Sequence, residues 1–286
     1  MKISDILDSK RPTVSFEVFP PKKEEQISSV EEAAMEIASL KPDFMSVTYG
    51  AGGGTSKYTA DVAAMLQDKC GVPALAHLTC VTSKRETVQA VLENIKAKGI
   101  ENVLALRGDI PADGVIEHDY RYASELVAEI RKEMPDLCIG AACYPEGHTE
   151  SASQREDIEH LKIKVDAGVD FITTQLFFDN NHFYHFLYRL REAGINIPVL
   201  AGIMPITSAK QIRRAAETAG ATPPKRFLTL LDYFGDKPEA MEQAGLIYAT
   251  EQIADLIANR VNGVHIYTMN KPATARKILD NLSEML

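Results

Sequence analysis

Short apolar, β-prone runs recur along the 286-residue chain. They are VSFEVFP from Val14, DFMSVTYG from Asp43, PALAHLTC from Pro73 and NVLALRGD from Asn102, then CIGAACYP from Cys138, DFITTQLFF from Asp170, PVLAGIMP from Pro198 and GVHIYTMN from Gly263. The first four begin 29, 30 and 29 residues apart, the length of a strand, a loop, a helix and a second loop. Between the runs the apolar period changes to that of a helix. Val88, Val91, Leu92 and Ile95 stand at i, i+3, i+4 and i+7 before Gly99, and Ser83 with Glu86 reads as a capping box ahead of them. Phe183, Phe186, Leu187 and Leu190 repeat the pattern before Gly194, as do Ile158, Leu161 and Val165 before Gly168. Eight strands alternating with helices predict a single (β/α)8 barrel over residues 1–286, with a doubly wound sheet as the alternative. The longer gap between the last two runs predicts an extra helix or long loop near AETAGATPPKRF.

In a barrel of this kind the C-terminal strand ends form the active face. Those ends carry Glu17, Thr48, Tyr49, His77, Thr79, Arg107 and Asp109, and further on Tyr144, Glu146, His148, Gln175, Asp179, Tyr267 and Asn270. Glu17 poses the sharpest question, because a carboxylate on an apolar strand is costly unless it is paired, hydrogen-bonded or protonated. It is either an edge-strand carboxylate facing water or a catalytic acid.

Composition narrows the field. A net charge of −9 argues against a nucleic-acid or membrane-surface partner, both of which need a basic face. Four cysteines without a CxxC pair read as reduced thiols of a cytoplasmic protein. The N-terminus has no apolar signal region, and no stretch approaches the roughly 18 apolar residues of a membrane helix. GAGGGTS at 50–56 is either a phosphate-wrapping loop or a plain flexible one. No strand-linked GxGxxG indicates a Rossmann site. His182 and His185 lack companions for a metal set, so no metal is expected. Lys22 and Lys271 lie just past strand ends, where a Schiff-base lysine would stand, with nothing further to support that role.

The motifs SFEVFPPK, SVTYGAGG, HLTC, ALRGD, AACYPEGH, KVDAGVD and TTQLFFD follow one another in order. Together they resemble the bacterial methylenetetrahydrofolate reductase family, flavin-dependent (β/α)8 barrels, from about Phe16 to Asn270. The resemblance implies FAD as cofactor, 5,10-methylenetetrahydrofolate as substrate and NADH, NADPH or a protein as electron donor. It also implies a homo-oligomer and the lack of the C-terminal regulatory domain of eukaryotic relatives. By match to the family motifs, Glu17 is the general acid that protonates the folate, its neutral form favoured by desolvation. Asp109 lies by flavin and pterin, where its charge can stabilise a cationic iminium. Gln175 hydrogen-bonds the pterin and Lys271 meets the glutamate tail, in place of an arginine. The implied flavin contacts are Thr48, His77, Leu106, Arg107, Gly108, Asp109, Tyr122, Ala123, Ala142, Tyr144, His148, Asp157 and Lys164. His160, Ile163 and Ala215 depart from the family pattern of Asn, Arg and Phe, so the adenine end and the donor face are expected to differ. The competing functional readings are a flavin-free pterin-dependent methyltransferase and an electron-accepting subunit of a larger complex.

Overall fold

Alternation along the first strand sets the geometry of the whole chain. In the computed structural model, which describes residues 1–8, 11–49, 56–81, 83–110 and 118–286 (without the side chains of Ser56, Lys57 and Arg214), Val14, Phe16 and Val18 point outward into the main apolar cluster. Ser15 and Glu17 take the opposite face and point into the barrel. The eight predicted runs form β1 (Thr13–Val18), β2 (Phe44–Val47), β3 (Ala74–Thr79), β4 (Asn102–Leu106), β5 (Cys138–Cys143), β6 (Phe171–Thr174), β7 (Val199–Ile203) and β8 (Gly263–Tyr267). All neighbours are parallel, and β8 pairs back onto β1, closing the ring. Closure excludes the doubly wound alternative.

Helices cover the outside: α1 (Ile3–Leu7), α2 (Ile27–Ala38), α3 (Ser56–Cys70), α4 (Arg85–Ala97), α5 (Ala123–Glu133), α6 (Gln154–Asp166), α7 (Asn180–Glu192), α8 (Ala209–Ala219), α9 (Lys225–Phe234), α10 (Pro238–Ala258) and α11 (Pro272–Leu282). The buried faces of α4 and α7 are the predicted ones, Val88, Leu92 and Ile95, and Phe183, Phe186 and Leu190. The long gap between β7 and β8 holds three helices, α8 to α10, and the expected extra element falls at the α8–α9 link and the start of α9.

The capping box at Ser83 is not made. Ser83 is buried, and its hydroxyl donates to the Thr79 carbonyl at 3.3 Å. Asp119, far along the chain, accepts from the Arg85 amide at 2.9 Å and does the capping instead. The GAGGGTS segment lies, but for its last residue, outside the described residues.

The two ends of the barrel interior differ. Phe44, Leu75, Leu104, Phe171 and Leu200 fill the lower layers, joined by Ile3 and Leu7 of α1, which plugs the N-terminal end. Buried Asn102 ties that plug down. It accepts from the Ile3 amide at 2.8 Å and donates to the carbonyls of Met1 and Ala74 at 3.1 Å each. Above this apolar floor the inward positions become polar.

Gly202 on β7 leaves room for the Thr174 carbonyl of neighbouring β6 and for the Tyr267 side chain of neighbouring β8. A Cβ there would stand 2.6 Å from Tyr267 Oη. Gly202→Ala is therefore expected to lower the unfolding free energy by about 1–3 kcal/mol through overpacking, measured as a shifted urea midpoint with an unchanged slope.

Candidate active site

A cavity of 1390 Å³ opens at the C-terminal ends of the strands, larger than the roughly 300–1,000 Å³ that suits a drug-sized ligand. At its floor lies Glu17, only 8% exposed. The register places Ser46 on one side of it and Tyr267 on the other. Thr268 Oγ1 donates to the Glu17 carbonyl at 2.9 Å and fixes the strand end. Tyr267 Oη donates to the Thr174 carbonyl at 2.6 Å; burial first and the Glu17 charge second hold this phenol well above its usual pKa. The Glu17 carboxyl itself makes no hydrogen bond among the described residues. Its Oε2 stands 3.6 Å from His77 Nε2 and 3.9 Å from His265 Nε2.

His77 is 6% exposed and its Nε2 has no hydrogen-bond partner among the described residues. Burial lowers its pKa to about 4, against the opposing pull of Glu17, so the ring is neutral at neutral pH. This buried, unpartnered nitrogen beside a carboxyl, both facing a cavity, marks a site for a polar ligand rather than a structural pair.

The wall formed by β4, β5 and α6 carries charges of both signs, Arg107 and Lys164 among Asp109, Glu150 and Asp157. Gly108 turns the chain at the end of β4 with φ +87°, and a Cβ there would come within 3.0 Å of Thr79 Cβ. Only glycine combines that dihedral with that approach. The turn aims Arg107 along the wall and leaves Asp109 exposed at the cavity edge. Arg107 holds Glu150 through two parallel bonds of 2.6 and 2.7 Å. This pairing raises the guanidinium pKa and lowers that of the carboxyl. Tyr144 packs edge-on against His148 with ring centres 4.6 Å apart. The Glu150 amide donates to His148 Nδ1 at 3.1 Å, so the neutral imidazole carries its proton on Nε2. Burial, then Arg107, lowers the His148 pKa.

Asp157, His160 and Lys164 lie along the cavity face of α6 at helical spacing, with Ile163 beside them. Lys164 Nζ donates to the Ala142 carbonyl at 2.7 Å, and burial lowers the pKa of its ammonium. An anion entering here would offset that penalty. Ser151 Oγ donates to Asp157 Oδ1 at 3.2 Å. Tyr122 and Ala123 begin α5, where the Glu125 carboxylate accepts from the amides of Arg121 and Tyr122 at 2.6 and 2.9 Å. Thr48 and Leu106 complete this half of the lining.

Gln175 faces the cavity from beyond β6. Its side-chain oxygen accepts from the Leu176 amide at 2.9 Å, which leaves its NH2 group to donate to a ligand. The structure thus brings together every predicted site residue except Lys271. Lys271 lies outside the cavity lining, and its ammonium donates to Thr207 Oγ1 at 3.3 Å. Three other strand-end polar residues have structural tasks. Asn270 clamps both backbone groups of Phe19, at 2.7 and 3.0 Å, and Asp179 caps α7 through the Asn181 amide. Glu146 accepts from the Thr222 amide. Among the described residues no three His, Cys, Asp or Glu gather as a metal site, and no helix is long and apolar enough to cross a membrane.

A closed parallel barrel with a nearly buried carboxyl at the floor of a large cavity at its C-terminal strand ends defines the class, a (β/α)8 barrel with a candidate site at its mouth. The family model described as Methylenetetrahydrofolate reductase matches residues 2–283, and the chain belongs to that family. It is 34% identical to the 5,10-methylenetetrahydrofolate reductase of Escherichia coli (strain K12), over 94% of this chain and 90% of that protein. It is 36% identical to Methylenetetrahydrofolate reductase (NADH) 1 of Arabidopsis thaliana, over 98% of this chain and 50% of that protein. The chain spans about half the length of this plant relative and of the yeast relatives it matches. Among solved structures, a Clostridium thermocellum protein described as binding two copies of 5-methyl-5,6,7,8-tetrahydrofolic acid superposes with a TM-score of 0.66, covering 98% of each chain. At 15% identity this likeness concerns the fold.

The depressed His77 pKa makes stability pH-dependent. The unfolded ring takes up a proton near pH 6.5 and the folded ring only near pH 4. The stabilisation is therefore complete above the unfolded value and is lost as pH falls between the two. Replacing His77 by Gln should remove about 3 kcal/mol of the wild-type loss between pH 7 and pH 4. Urea unfolding of both proteins across that range measures the difference.

Proposed function

We propose that the chain catalyses flavin-dependent reduction of 5,10-methylenetetrahydrofolate to 5-methyltetrahydrofolate. The observation that carries this reading is Glu17, a nearly buried carboxyl at the cavity floor with no hydrogen bond of its own among the described residues, in a member of this family. Ring opening of the substrate breaks its C11–N10 bond. N10 must receive a proton, and N5 is left as a methylene iminium cation. Glu17 supplies that proton as a general acid. Asp109 offers a negative charge at the cavity edge to the cation that forms. The Gln175 NH2 group donates to the pterin edge.

The residues fit FAD. Arg107, His148 and Lys164 can hold a diphosphate along this wall, and an anion there would offset the burial that lowers the Lys164 pKa. Asp157 can accept from sugar hydroxyls. Thr48, His77, Leu106, Gly108, Tyr122, Ala123, Ala142 and Tyr144 supply the surrounding surface. When bound, the flavin supplies the hydride that converts the iminium carbon to a methyl group. The electrons come from NADH, NADPH or a reduced partner protein. The donor wall at Ala215 presents a methyl group and no ring.

The purified protein should be yellow and release FAD. A colourless protein that binds folate would replace this reading with flavin-free methyl transfer. Release of FMN would remove Asp157 and Lys164 from the cofactor assignment.

Glu17→Gln should leave flavin reduction near wild type while slowing folate reduction by the pre-reduced protein about 100-fold or more. Stopped-flow flavin absorbance times the two halves separately. Equal slowing of both would assign Glu17 a structural role. Asp109→Asn should raise the barrier of the folate half by about 2–4 kcal/mol with flavin content preserved.

A further inference from the structure

Arg107 and Glu150 meet at the cavity edge from two different places, the end of β4 and the loop between β5 and α6. The Arg107 backbone is fixed, because its carbonyl accepts from the amides of Cys80 and Val81 at 3.1 and 2.8 Å. Glu150 stands on a hydrogen-bonded turn. Its amide donates to His148 Nδ1 at 3.1 Å, and the Ser151 amide donates to the His148 carbonyl at 3.0 Å. From these two fixed points the side chains reach out and hold one another.

The pairing uses only part of the guanidinium. Such a group offers two bidentate edges, an end-on one built from Nη1 and Nη2 and a side-on one built from Nε and Nη2. Glu150 takes the end-on edge, at 2.6 Å from Nη1 and 2.7 Å from Nη2. The side-on edge has a single long contact among the described residues, from Nε to the Gly108 carbonyl at 3.4 Å. The Glu150 side chain is 54% accessible and that of Arg107 24%, and a pair this exposed adds little to stability. Its geometry has another use.

We infer that Glu150 is a positioning residue for the cofactor: it fixes the Arg107 guanidinium on the cavity wall, so that the side-on edge is in place for a phosphate oxygen of the FAD diphosphate before the ligand arrives. This rests on the FAD reading proposed above. An unpaired arginine at a cavity rim samples many rotamers, and binding would have to freeze them. With Glu150 present, that ordering is already complete. The negative charge of Glu150 acts in the opposite direction, since it repels an anion. Removing the carboxylate therefore changes binding with one sign through ordering and with the other through charge. Salt separates the two. At about 1 M the Debye length is about 3 Å, so repulsion across the cavity is screened more than a pair in hydrogen-bond contact.

The test is release of FAD from the purified holoprotein in about 1 M potassium chloride, followed by the rise in flavin fluorescence. Glu150→Gln keeps the size of the side chain but turns an NH2 group toward one arm of the guanidinium. It should release FAD about fivefold faster than wild type. The affinity of its apoprotein for riboflavin, which carries no phosphate, should match wild type. On an Arg107→Lys background, which lacks the planar fork, Glu150→Gln should change FAD release by less than about twofold. Slower or unchanged release in Glu150→Gln overturns the inference. So does an equal weakening toward riboflavin, which would make Glu150 a general support of the wall. A second measurement needs no flavin. Nitrogen-15 spectra of the arginine-labelled protein, with Arg107 identified by the signals lost in Arg107→Lys, should show separate Nη–H signals, the mark of a guanidinium held against rotation. Free rotation of Arg107 in the wild-type protein overturns the inference. A wild-type protein that holds Arg107 rigid and binds inorganic pyrophosphate but takes up no flavin would defeat the functional reading and leave the role of Glu150 standing. One that binds neither overturns both.

Discussion

Closure of the sheet by β8 pairing with β1 is the constraint on which the rest of the molecule depends. Once the ring is closed, every strand has an outer face against helices and an inner face against the other strands. A parallel sheet buried on both faces needs apolar residues almost everywhere. The polar inward positions must then satisfy one another or meet a ligand. Ser15, Ser46 and His265 satisfy one another. Glu17 and His77, one layer higher, do not, and they open to the cavity.

The same closure explains why one end is inert and the other chemical. Phe44, Leu104, Phe171 and Leu200 exclude water from the lower layers, and α1 completes the seal with Ile3 and Leu7. Such a floor stiffens the positions of the groups standing on it. It also lowers the local dielectric, which makes burial the dominant influence on His77, Tyr267 and Lys164 alike. The rim is balanced differently: Arg107 finds its counter-charge in Glu150 within the protein.

Much of this was legible in the sequence. Spacing of the apolar runs marked out the eight strands, and loop-face logic placed Glu17, Arg107, Asp109, His148 and Gln175 at one cavity. What failed did so for identifiable reasons. Ser83 carries capping chemistry, but a tertiary partner, Asp119, reached the helix start first. Asn270, Asp179 and Glu146 stand at strand ends yet satisfy backbone groups, a use that composition cannot distinguish from ligand binding. Lys271 stands outside the cavity lining, with its ammonium on Thr207. Glu150 was missed because its role exists only through Arg107, 43 positions earlier. His265 could have been found, since strict alternation from Gly263 to Tyr267 places it inside the barrel.

The plug at the N-terminal end has a consequence for traffic. Among the described residues the barrel floor is sealed by side chains, so the cavity is a cul-de-sac. Whatever lies deepest against Glu17 has to arrive through the mouth, and anything that settles above it blocks its departure. Molecules that use this floor in turn are therefore obliged to queue. The order in which they come and go is written into the architecture, before any difference in affinity among them.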